Sequence, residues 1–163
     1  MNARLSFQKQ MDKPPVFTFH RSDGSVVWSQ LRNLPVEHDL AHYVVEKTLG
    51  FTRGFYSLLD AGFAPDDFEL PRDKRPAELL PANLPVEAHW AEFIVGLLQA
   101  EWVSGPNPAF LSDLRQALTS RQLPFPDRLT DERLGDIRDQ YFEVLYAWHT
   151  TEPGRQLDLP LVL

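Results

Sequence analysis

Two of the chain's five histidines, His38 and His42, stand four residues apart, with Asp39 directly after the first and Glu46 four residues beyond the second. On a helix this spacing stacks two imidazoles one turn apart, at a separation a single metal ion can bridge. At ~100° per residue, His38, His42, Glu46 and Asp39 fall at about 0°, 40°, 80° and 100°, while Leu40, Val44, Ala41, Val45 and Leu49 run from about 200° round to 20°. Four groups able to bind a metal or carry a proton therefore follow the border of an apolar face. A site there is half buried, where a side chain is both held and reachable.

The element that must position them is a helix from Asn33–Pro35 to about Leu49, opened by proline in its first turn and stopped at Gly50. Its start recurs: Asn83-Leu84-Pro85-Val86-Glu87 repeats Asn33-Leu34-Pro35-Val36-Glu37, and at the same offset Ala91 matches Ala41 and Val95 matches Val45. One reading is a good helix start used twice. The other is a pseudo-symmetric helix pair whose polar flanks meet, in which Glu92 falls on His42 and His89 on Asp39. The second helix, Val86 to about Trp102, carries Val86, Trp90, Phe93, Ile94, Leu97 and Leu98 on a wide apolar arc. Its Glu101 projects among the apolar residues and needs a partner if the helix reaches that far.

His38-Asp39-Leu40-Ala41-His42 resembles the His-Glu-x-x-His motif of the zincin metallohydrolases, in which the glutamate is the base acting on metal-bound water. The resemblance makes His38 and His42 metal ligands and Asp39 the catalytic base, although Asp39 is one methylene shorter than the family's glutamate. In zincins of this kind a later helix supplies the third ligand, which the resemblance assigns to Glu92, with Glu46 and Glu101 as alternatives. Residues 34–63 also resemble a family of bacterial proteins in which His-Asp-Leu-x-His-x-x-Val-Glu is followed by Leu-Gly, an aromatic-rich Gly-Phe turn and Ala-Gly. That likeness implies no activity.

Composition narrows the classes. The 163 residues are enough for one domain with its own core. A net charge of −7 argues against a nucleic-acid surface. With no cysteine, any metal is held by nitrogen and oxygen, for which zinc or a similar divalent ion is the fitting choice. No apolar run approaches a membrane span, and the N-terminus lacks the apolar core of a signal peptide, so the expectation is a cytoplasmic protein. Gly-x-Ser-x-Gly and glycine-rich phosphate loops are absent.

Along the chain, residues 1–13 read as a polar, loose lead-in. Val16–His20 and Val26–Ser29 flank Asp23-Gly24, a hairpin signature, with His20 read as a strand residue beside the turn. A short helix is expected over Arg53–Ala61. Residues 64–84, rich in proline and charge, read as a long ordered surface loop with one helical turn near Ala77–Leu80. Asn107 and Pro108 mark a helix start, and Thr130 caps a helix with the stripe Leu134, Ile137, Tyr141, Leu145 and Trp148, ending near His149. Gln156–Leu161 alternates and suits an edge strand beside the hairpin, where Pro160 is tolerated.

The expected fold is α+β: a mainly α-helical single domain of four or five helices with a small antiparallel β element, the N-terminal hairpin plus the C-terminal strand. The expected function is a small soluble metal-binding protein, with a zinc-type hydrolase as the finer reading and a small molecule or peptide as partner. The alternative is a non-enzymatic interaction or regulatory module in which the His/Glu cluster is a structural polar network and the 64–84 segment meets a partner. The two differ in geometry: a catalytic cluster opens onto a cleft, whereas a structural one is closed over by Tyr43, Phe55 or Trp90.

Overall fold

The computed structural model describes residues 2–163. Four strands, β1 (Ala3–Gln8), β2 (Val16–His20), β3 (Val26–Gln30) and β4 (Gln156–Leu161), form one antiparallel sheet in the order β3-β2-β1-β4. Their period-two alternation sends Leu5, Phe7, Phe17, Phe19 and Leu161 into the core and leaves Arg4, Gln8, Trp28 and Asp158 on the open face. The β2–β3 turn places Gly24 at φ 89, the positive value that the Asp-Gly pair supplies.

The lead-in expected to be loose is where the sequence reading fails. Ala3–Gln8 is an inner strand, paired with β2 on one side and β4 on the other. The physical reason is alternation: Ala3, Leu5 and Phe7 are each at most 2% exposed, while Arg4 and Gln8 point to solvent. Polar residues between the apolar ones hid a strand that supplies three core side chains. The C-terminal strand joins as expected and lies at the edge that Pro160 requires, but its neighbour is β1 and not the hairpin itself.

Five helices pack on the inner face: α1 (Val36–Leu49), α2 (Phe55–Asp60), α3 (Val86–Ser104), α4 (Phe110–Ser120) and α5 (Asp131–Thr150). One apolar core unites them with the sheet. Helix α1 runs through its middle, packed against both α3 and α5, and its buried residues include Asp39, His42 and Glu46. Both copies of the repeated start behave alike, since Pro35 and Pro85 stand in extended conformation just before α1 and α3. α4 begins at Phe110, later than Pro108, because the Asn107 side chain accepts the Ala109 N–H at 2.8 Å and closes a turn there first.

The 64–84 segment is ordered by two short 3-10 turns, Pro65–Glu69 and Ala77–Leu79, one more than its sequence suggests. The first is pinned across the edge of β3. Ser29 Oγ donates to Asp66 at 2.5 Å, Asn33 donates to Glu69 at 2.6 Å, and the Arg21 guanidinium donates to the carbonyls of Leu59 and Phe63. Among the described residues no helix is long and apolar enough to cross a membrane.

Candidate metal centre

Helix α1 brings His38 and His42 to the flank of α3, where Glu92 and Gln99 project toward them. The rings of His38 and His42 lie 4.8 Å apart, centroid to centroid. His42 Nε2 stands 3.0 Å from Glu92 Oε1, and one ligand atom from each of His38, His42 and Glu92 lies within 4.8 Å of the other two. Two ligands on a tetrahedral zinc ion sit about 3.4 Å apart, a little closer than the widest separation in this group. The polar flanks of α1 and α3 meet here, with Glu92 against His42.

Glu46 has a different task from that of a ligand. Its carboxylate accepts the N–H of Phe55 at 3.0 Å and of Tyr56 at 3.1 Å, and lies 3.2 Å from His42 Nδ1. The cause is local: α2 is preceded by Gly54, which has no side chain to cap it, so the helix's free N–H groups take an acceptor from α1. Gly54 is needed there, because a Cβ at that position would overlap the Glu46 carboxylate. By accepting from Nδ1, Glu46 fixes the His42 ring and leaves Nε2 facing Glu92, the carboxylate–histidine arrangement that orients ligating imidazoles. On His38, Gln99 Oε1 lies 3.2 Å from Nδ1 and leaves Nε2 as the free lone pair.

The charges follow from these contacts. Burial works against a charged His42, but its hydrogen bonds to Glu46 and Glu92 and their negative charges outweigh it and push the pKa up to about 10. Burial holds His38 below the ordinary histidine value, and the neighbouring His42 adds to the effect. Burial acts to raise Glu92, yet the hydrogen bond and charge of His42 keep it below the usual carboxylate range. The proton between His42 Nε2 and Glu92 thus occupies the place where a cation would bind, and metal would enter by displacing it.

Asp39 is not among the clustered ligands. It is 8% exposed and lines an adjoining cavity of about 120 Å³, and burial raises its carboxyl to about 7 against the opposing charge of His42. His38, His42, Glu69 and Glu92 share that cavity with Phe55 and Phe68. Of the three residues named as closures, only Phe55 packs on His42, at 5.6 Å between centroids. Trp90 turns away to Phe51 and the Pro124 carbonyl, and Tyr43 donates to the Pro160 carbonyl. With the Glu92 side chain 60% exposed, the cluster opens to solvent on the α3 side.

Glu101, the other alternative ligand, lies away from the cluster. Arg138 of α5 donates to both its oxygens, at 3.0 and 2.5 Å, and the Asn107 N–H donates at 2.8 Å. Of the remaining histidines, His89 helps to lower the pKa of Glu92 without joining the converging ligand atoms, while His20 lies beside Arg4 and His149 beside Glu37. The sequence reading missed Gln99, the capping role of Glu46 and the Pro65–Glu69 turn. For Glu46 a signal existed, since Gly54 before the aromatic helix start leaves N–H groups that must be answered from elsewhere.

Fold and site together define an α+β protein with a group of side chains able to hold a metal. The chain matches no family profile, no curated protein and no solved structure.

Proposed function

We propose that this protein binds a divalent metal ion through His38, His42 and Glu92. The observation that carries the reading is the convergence of three ligand atoms from two helices around one point, with the inner histidine oriented by a buried carboxylate behind it. Two imidazoles and a carboxylate suit zinc, and three protein ligands leave a fourth position open, the pattern of a catalytic site. A bound zinc ion would lower the pKa of its water to about 7.

The finer reading is a hydrolase acting in the adjoining cavity. Asp39 lines that cavity and is the candidate base. Its raised pKa suits a group that takes and returns a proton near neutral pH. Phe55 and Phe68 supply apolar surface to the cavity, and the Pro65–Glu69 turn borders it.

The second reading also has an observation in its favour: His42 is fully bonded to Glu46 and Glu92 without a metal. On that reading the protein is an interaction or regulatory module, and the Glu46–His42–Glu92 chain ties α1, α2 and α3 together.

Metal content measured by mass spectrometry on protein purified without an affinity tag separates the two. The expected result is near-stoichiometric zinc, manganese, iron or nickel, lost in the His38→Ala/His42→Ala double variant and in Glu92→Gln. Absence of metal even after reconstitution would overturn the metal reading and leave the structural one.

A further inference from the structure

The buried carboxyl of Asp39 has no partner. Its backbone carbonyl accepts the Tyr56 hydroxyl at 2.6 Å, but among the described residues no group donates a hydrogen bond to its side chain. Nor does the proposed metal answer it, since Asp39 stands outside the group of ligand atoms that converge on one point. The charge of His42 acts on this carboxyl, but no donor reaches its oxygens, and the open volume beside it is where one can come.

The cavity walls narrow the choice of donor. No lysine or arginine lines it; its charged groups are Asp39, Glu69, Glu92 and the two histidines. Against the protonated His42 stand Glu69, Glu92 and, once ionised, Asp39, so the balance of charge is negative and favours a cation over a carboxylate or phosphate. Apart from Ser29 the rest of the wall is apolar, with Phe17, Phe55 and Phe68 presenting ring surface, which favours an alkyl chain and stabilises a nearby positive charge. The size is set too: a protein cavity of about 150 Å³ takes benzene, so 120 Å³ suits a molecule of roughly five or six heavy atoms. Exposed Leu34, Glu69 and Glu92 mark the entrance.

We propose that this cavity binds a short-chain primary ammonium ion, its nitrogen seated on the Asp39 carboxylate and its alkyl part among Phe17, Phe55 and Phe68. The inference rests on reading the cavity as the ligand-binding side of the proposed metal centre, and it names the substrate class for that centre.

The test uses n-butylammonium, n-butanol and butyrate, matched in chain and different in charge, titrated into the full-length protein both chelator-treated and zinc-loaded. Binding is followed by protein-observed NMR. An ion pair made in a dry site predicts butylammonium binding about tenfold or more tightly than butanol, with butyrate weakest. Asp39→Asn removes the preference for the cation while the spectrum stays folded. Should that variant unfold, nuclear Overhauser contacts between the butyl protons and the Phe55 and Phe68 rings in the wild type carry the test. Equal binding of the three probes, tightest binding by butyrate, or absence of those contacts overturns the proposal. Zinc bound without a cation preference overturns it while leaving the metal reading intact. A cation preference in a protein that takes up no metal upholds the seat and overturns the metal reading.

Discussion

Helix α3 carries two acidic side chains that each reach a neighbouring helix, and they end in different chemistry. Glu101 meets Arg138 of α5, whose guanidinium donates to both carboxylate oxygens while the Asn107 N–H takes a further lone pair. Glu92 meets His42 of α1 through a single contact, and its side chain stays largely in solvent. An arginine keeps its charge at every accessible pH, so the first pair is closed and permanent. The charge of His42 is a proton, and a proton can be exchanged for a metal ion. Burial is not what separates the two, for Glu101 is the less exposed carboxylate. The decisive difference is whether the partner's charge can leave.

The contrast is tested most strongly at Glu46, the carboxylate that makes the α1 end rigid. Glu46→Ala takes the acceptor from two N–H groups of α2 and leaves His42 with one partner. Losing one side of a buried charged pair costs about 3–5 kcal/mol, read as a lower urea midpoint. A loss below about 1 kcal/mol would mean that this network does not hold the helices together.

Proton exchange predicts the next effect. In the metal-free protein the His42 pKa is raised from 6.5 to about 10, so its contribution to stability is complete below pH 6.5 and is lost as pH rises through about 10. Asp39 acts in the same direction at lower pH: raised from 3.8 to about 7, it binds its proton more firmly in the folded state, and stability falls across that interval. Between pH 7 and 9 the unfolding free energy should therefore decline, by up to about 1.4 kcal/mol per pH unit for one proton. His42→Gln should flatten the slope, and saturating zinc should flatten it as well, because zinc-bound His42 carries no proton and the unfolded chain's histidine carries almost none above pH 7. A wild-type slope that matches the variant's would show that His42 is not held charged. The Glu101 end should give no slope in this range.

Gly54→Ala is a subtler perturbation of the same carboxylate. The backbone there, at φ −84, accepts any residue, so the whole effect is the methyl group's overlap with Glu46. Overpacking of this kind costs about 1–3 kcal/mol. With metal bound, displacing the group that orients His42 should also weaken affinity about 10- to 100-fold. Unchanged stability and affinity would mean that Glu46 can move without consequence.

How far this arrangement was legible in the sequence depended on how local each signal was. The His38–His42 spacing, the stop at Gly50 and the stripe from Leu134 to Trp148 are properties of single helices, and periodicity exposes them. The pairing of Glu92 with His42 was visible because two helices share one start, so their register could be compared directly. Glu46 was legible as a polar residue at a core edge but not in its task, which depends on α2 folding back across α1. Glu101 was legible as needing a partner only if the helix reached that far, and Arg138 lies on another helix to which no spacing rule joins it. Residues 3–8 were missed because an inner strand earns its place by pairing on both sides, which a stretch read alone does not reveal.

The smallest effect belongs to the closed pair. Arg138→Ala removes a guanidinium that is itself one-third exposed, and water can take up part of the bonding to Glu101. Pairs at that depth contribute about 1 kcal/mol, and the same arginine also packs over Phe110 with its guanidinium 5.5 Å from the ring centroid, which keeps the loss from vanishing. The variant should unfold at slightly lower urea, keep the pH 7–9 slope set by His42, and bind zinc as the wild type does. If it lost metal instead, Glu101 would have to communicate with the α1 end along α3, and the division of that helix into a permanent pair and an exchangeable one would fall.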